Sequence, residues 1–199
     1  PFEIPKGWQK FRAADWGYSS PACCLWFAID YDNNLWVYRE LYTQKITADI
    51  FARKVLDLES GEYIRYGVLD ASTWARRGDI GPSIAETMIQ AGCRWRPSDR
   101  TGRSRISGKL EIHKRLKVED KEPGIRIFSN CRNLLRTFPT LPLDDSNPED
   151  INTHVEDHAY DALRYGCMSR PMHTSYANKA FGNSNRTTNF VPSDKIFGY

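Results

Sequence analysis

A chain of 199 residues with 40% hydrophobic and 13% aromatic content can bury one sizeable core, which excludes a disordered chain. Its longest apolar run, ACCLWFAI, is too short for a bilayer span and suits a buried strand, so no membrane-crossing protein is expected. The net charge of +3 hides an uneven distribution: Arg94 to Arg136 holds thirteen Lys or Arg against five Asp or Glu, whereas Leu141 to Asp161 holds seven acids and neither Lys nor Arg.

A basic stretch followed by an acidic one is what an enzyme acting on a polyanion requires, with cations to grip phosphates and carboxylates to hold metal. The five cysteines are odd in number and contain no CxxC pair, against both a disulfide framework and a zinc site. They read as reduced, mostly buried thiols of a cytoplasmic protein. The chain opens at Pro1 without a methionine or a signal peptide, and the expectation is an excised domain or a processed product.

Residues 10–17, KFRAADWG, set Phe11, Ala13 and Asp15 on one side of an extended segment and predict a first strand. ACCLWFAIDY (22–31), apolar nearly throughout, predicts a central strand. The turn DNN at 32–34 folds LWVYRELY (35–42) back as a hairpin. Thr47 predicts the cap of a helix from Ala48 to Leu58, with Ile50, Phe51, Val55 and Leu58 facing inward. YIRYGVLD (63–70) predicts a fourth strand with Asp70 at its carboxyl end. A helix over Ser83–Ala91 and a short strand CRWRP (93–97) follow. The loop SDRTGRSR leads to a helix over 107–118 patterned on Leu110, His113 and Leu116, then to a strand IRIF (125–128) and a helix CRNLLRTF (131–138). Beyond Pro171 the composition turns to Asn, Ser, Thr and Gly, which predicts an irregular tail, 171–199, behind a domain over 1–170.

The last predicted helix carries an excess of acid. In VEDHAYDALRYG (155–166), Val155, Ala159, Ala162, Leu163 and Gly166 form one narrow apolar face, and Thr153 with Glu156 reads as a capping box that starts the helix. Glu156 and Asp157 then fall in the first turn, where the helix dipole favours carboxylates. Asp161 lies two turns in and repels Asp157, four residues earlier, by roughly 0.2–0.5 kcal/mol. Alone, the helix leaves Asp161 an ordinary solvated acid; a role for it needs partners from other segments.

The order of elements supplies them. A three-strand meander, a helix and a strand reached by crossover make an α/β layout with a mixed sheet, in which the fourth strand lies parallel to the first. Sites in open α/β sheets gather at the carboxyl ends of strands. Asp15 and Asp70 occupy such ends, and they converge if those strands are neighbours.

Asp15 in AADWG, Asp70 in GVLDAS and Asp161 in EDHAYDALRYG resemble, in order and spacing, the three acidic motifs of the nuclease domain of viral large terminases, of the RNase H-like superfamily. The resemblance spans residues 10–166, and its most specific piece is DHAYDALRYG behind FSNCRNLLRTFPTL. It implies an RNase H-like fold with a mixed central sheet flanked by helices. It also implies a catalytic site in which Asp15, Asp70 and Asp161 hold two divalent ions, Mg2+ or Mn2+, with Asp15 bridging. Magnesium takes a few carboxylates and keeps its waters, and paired ions about 4 Å apart suit phosphodiester hydrolysis. His158 stands where some members carry a histidine at the metal site, and Asp157 reads as a supporting acid.

Arg103, Arg105 and Lys109, within a basic stretch that also holds Trp95, Gly102 and Gly108, are the candidate phosphate contacts to double-stranded DNA. No GxxxxGK[ST] occurs, so ATP hydrolysis is not expected of this chain. The resemblance implies a separate ATPase domain, a small terminase subunit and a portal as partners, in the cytoplasm of a host cell. The alternatives are a junction resolvase or transposase of the same fold and, from another class, a noncatalytic DNA-binding module.

Overall fold

The computed structural model describes residues 1–76, 81–101, 103–118, 122–145, 147–152 and 155–172. Strands β1 (Gln9–Asp15), β2 (Ala22–Ile29) and β3 (Leu35–Thr43) form the predicted antiparallel meander. Helix α1 (Ala48–Leu58) then crosses to β4 (Gly67–Leu69), which lies parallel to β1. After a 3-10 turn over Ala71–Trp74 come α2 (Ile84–Gln90) and β5 (Arg96–Pro97), then α3 (Ser104–Leu116). The chain continues through β6 (Ile125–Ile127), α4 (Arg132–Thr137) and α5 (His158–Met168). The strands join in one mixed sheet of order β5-β4-β1-β2-β3-β6, with β4, β5 and β6 added in parallel.

All eight residues of β2 are buried, because helices cover both faces of the sheet. On one face α5 packs on β1 and β2, and α3 packs on α5. Gly166 makes this contact possible: a Cβ there would collide with the Phe27 ring, which stacks in turn on Phe11. On the other face Arg12 and Trp26 point to Glu59, at the end of α1. All five cysteines are buried free thiols, as expected. Among the described residues, no helix is long and apolar enough to cross a membrane.

Several local expectations change. Helix α1 buries Ala48, Phe51, Ala52 and Val55, so the small alanines replace Ile50 and Leu58, which face solvent. Helix α3 buries Gly108, Glu111, Ile112 and Arg115, while Leu110 is 63% exposed. The inner face of α3 is polar because Glu111 and Arg115 pair with each other at 2.9 Å, satisfying both charges. Strand β4 is confined to Gly67–Leu69; the preceding residues join β1 through isolated bonds, such as Arg65 N–H to the Lys10 carbonyl. Trp95 is buried beneath the Arg12 guanidinium, 4.3 Å from it, and is not available to DNA. Gly108 admits the Arg164 side chain and is enclosed by it, not open to a phosphate. Gly102 and, from residue 173, the predicted tail lie outside the described residues.

Candidate active site

Two main-chain features bring Asp15 and Asp70 together. Strands β1 and β4 pair in parallel up to Ala14 and Leu69, and the Asp70 N–H donates to the Ala14 carbonyl at 3.1 Å. Both acids therefore leave the carboxyl ends of adjacent strands, the position favoured for sites in α/β sheets. Asp70 also caps the 3-10 turn: its carboxylate accepts from the Ser72 N–H at 3.2 Å and from the Ser72 hydroxyl, which holds it at the start of that turn.

Helix α5 supplies the other acids from the face packed on β1. It begins at His158, not near Thr153, and Thr153 lies outside the described residues. The segment before it is tied down elsewhere: Glu156 accepts from Arg136 through both oxygens, at 2.6 and 2.9 Å, and from the Tyr42 hydroxyl at 2.5 Å. Asp157 consequently occupies the cap position, although its side chain makes no capping bond, and Asp161 falls in the first turn. That late start resolves part of the excess acid, because Asp161 now feels the positive end of the helix dipole.

The electrostatics of this cluster are lopsided. Asp15 is only 8% exposed, and burial pushes its carboxyl up to about 6, with the carboxylates of Asp161 and Asp70 adding to the rise. His158 offsets part of this, its Nδ1 lying 2.7 Å from the Asp15 carboxylate, and that same contact raises the histidine's own pKa. Asp157 is pushed up to about 6 as well, by burial and then by Asp161. Asp161 differs in having arginine partners: Arg164 Nε and Nη2 reach its Oδ1 at 3.0 Å, and Arg105 Nη1 lies 3.8 Å from Oδ2.

Tyr165, one turn beyond Asp161, reports on the convergence. Its phenol is held neutral by burial and by the negative charges of Asp161, Asp15 and Asp70, so one side chain senses all three acids. Tyr165 and Arg164 were not singled out from the sequence, although their positions three and four residues past Asp161 place them on the same helix face. The phosphate-contact candidates diverge. Arg103 is exposed, Arg105 donates to Asp150 at 2.8 Å, and Lys109 donates to the carbonyls of Pro148 and Glu149 at 3.3 and 2.9 Å.

Among the described residues, no three His, Cys, Asp or Glu side chains are arranged as a ready-made ion cage. Asp161 is turned to its arginines and Asp70 to Ser72, which accounts for that. In chemistry the donor set still fits a hard divalent cation: the acids offer oxygen only, and two of them carry buried negative charge that the protein leaves uncompensated.

No known protein-family pattern matches the sequence, and no curated protein does. Solved structures do. The nuclease domain of the bacteriophage P22 large terminase superposes with a TM-score of 0.65 at 19% identity, covering 85% of each chain. The large terminase nuclease of thermophilic phage G20c, solved with bound cobalt, gives 0.57 at 12% identity over 82% of each chain. A complete large terminase from another thermophilic bacteriophage gives 0.66 at 13% identity over 83% of this chain, which spans 41% of that protein. The chain has the fold of the nuclease domain of phage large terminases.

Proposed function

We propose that this chain is the DNA-cutting domain of a viral packaging terminase, a metal-dependent endodeoxyribonuclease that cleaves concatemeric duplex DNA. The observation that carries the reading is the meeting of Asp15 and Asp70 at the ends of two adjacent parallel strands, with His158 of α5 against Asp15 at 2.7 Å. Asp15, Asp70 and Asp161 would hold two divalent ions, magnesium or manganese. Bound there, such ions supply Lewis acidity for phosphodiester hydrolysis, at the attacking and departing oxygens.

The remaining groups follow from their contacts. His158, with its raised pKa, carries a proton on the face of Asp15 and fixes the orientation of that carboxylate. Arg164, itself buried, holds Asp161 on the helix surface until a stronger cation takes it. Asp157 adds a second negative charge beside Asp161, and Tyr165 walls the acids from the interior as a neutral phenol. In the assembled machine the domain would act with an ATPase domain, a small terminase subunit and a portal, in the host cytoplasm.

The test is cleavage of supercoiled plasmid in magnesium or manganese, with EDTA as control, by the wild type and Asp70→Asn. Metal-dependent nicking and linearisation, absent from the variant, is the expected result. Equal activity of both proteins would falsify the assignment. A noncatalytic DNA-binding module draws on the arginines that face Asp161, and predicts DNA binding without cleavage in that assay. Preference for four-way junctions over plasmid would favour a resolvase.

A further inference from the structure

A cavity of about 240 Å³ opens beside Asp70, between the 3-10 turn that follows β4 and the start of α3. Arg100, Arg105, Arg164, Ser72, Ser98 and Ser104 line it. We propose that this cavity is a subsite for a backbone phosphate of the DNA strand, next to the one cleaved at the aspartates; the assignment rests on the nuclease reading above.

Its donors are unspent. Arg105 gives Nε to Asp150 and turns Nη1 to Asp161, yet its Nη2 is buried without a hydrogen-bond partner. Such a group costs free energy until an acceptor arrives. Ser98, 7% exposed, accepts from the Ala71 N–H at 3.1 Å, and its hydroxyl hydrogen has no acceptor among the described residues. Arg100 is exposed and makes no ion pair among the described residues.

The charge order around α3 points the same way. No acid stands in its first turn, its cap residue is Arg103, and that side chain makes no capping bond. Cations at the positive end of a helix are unfavourable by themselves, and an anion lodged among them reverses the sign. Two acids touch the rim, and each is turned into its own loop. Asp99 accepts from the N–H and hydroxyl of Thr101 at 3.0 and 3.1 Å, and Asp70 accepts from Ser72. A larger cavity, about 540 Å³, lies by Arg12 and Trp95, toward the other end of β1 and β4, and its lining includes Glu59 and Glu62.

The experiment is fluorescence anisotropy of a short labelled duplex against salt, in EDTA, for the wild type, Arg100→Ala, Arg100→Lys and Arg94→Ala. One lost phosphate contact lowers the slope of log affinity against log salt by about 0.9. That drop in Arg100→Ala, with Arg100→Lys near wild type and Arg94→Ala unchanged, is expected. Equal losses in Arg100→Ala and Arg94→Ala would mean only a diffuse basic surface and overturn the subsite, as would no loss in Arg100→Ala. A wild type that cuts plasmid while Arg100→Ala binds normally sinks the subsite alone; a wild type that neither binds nor cuts sinks the nuclease reading with it. Inorganic phosphate provides a separate arm. Shifts of the Ser98 and Ser104 amide signals on its addition, lost in Arg100→Ala while duplex affinity stays unchanged, would assign the cavity to a free anion and overturn the backbone reading.

Discussion

Arg12 and Asp15 stand three residues apart on one strand, both buried, and on opposite faces of the sheet. Arg12 is matched by its surroundings. Its Nη1 donates to both oxygens of Glu59 at 2.7 and 2.6 Å, its Nη2 donates to the Arg94 carbonyl at 2.7 Å, and Trp26 Nε1 donates to the same Glu59 at 2.7 Å. Asp15 meets further acids and one histidine, and its carboxyl rises to about 6. Buried charge that a protein balances with its own groups belongs to the scaffold. Buried charge left unbalanced, at about 1.4 kcal/mol for each unit of pKa shift, calls for a partner from outside.

Substitution at each end should break this contrast in opposite directions. Asp15→Asn is expected to abolish metal-dependent plasmid cleavage, by about a thousandfold or more, which corresponds to about 4 kcal/mol in the barrier. It should leave thermal stability in EDTA equal or higher, because it removes a charge the fold disfavours. Glu59→Ala should do the reverse. Stranding Arg12 among buried groups should cost about 3–5 kcal/mol in chemical denaturation, a loss that divalent ions do not restore. A wild-type denaturation midpoint for Glu59→Ala would show that the Arg12 end is not scaffold.

His158→Ala sharpens the comparison at the acidic end. Loss of the group that orients Asp15 should lower cleavage about 10- to 100-fold while the protein stays folded, as circular dichroism would show. The smallest effect concerns pH. Asp15 and Asp157 sit near 6 in the fold against an ordinary 3.8, so the folded protein binds more protons than the unfolded chain between those values. Stability in EDTA should therefore rise as pH falls from about 7.5 to about 5, and His158, raised by Asp15, contributes in the same direction. Calorimetry of Asp15→Asn should show a flatter dependence, and an unchanged slope would count against the raised pKa.

The meander, the crossover and the burial of β2 were legible in the sequence because alternation and length carry them directly. Asp15 and Asp70 were placed at strand ends by the same logic. The start of α5 was not, because Glu156 satisfies a capping pattern locally while Arg136 and Tyr42, far away in the chain, claim its carboxylate. The face of α3 was misjudged through Leu110 and Leu116, since a buried Glu111–Arg115 pair looks like surface in any hydropathy pattern. Trp95 looked like a base-stacking platform within its basic segment; only the sheet shows Arg12 lying over it.

One feature of the sheet reaches beyond these tests. The Asp70 N–H bonded to the Ala14 carbonyl sets the spacing of the two strand-end acids through atoms that every residue possesses. Side chains around them can be exchanged by mutation, generation after generation, without moving that spacing. A one-residue slip between β1 and β4 would instead throw Asp15 to the wrong face at once. Such an arrangement drifts freely in letters and hardly at all in shape, which is the relation this chain bears to the phage P22 domain at 19% identity.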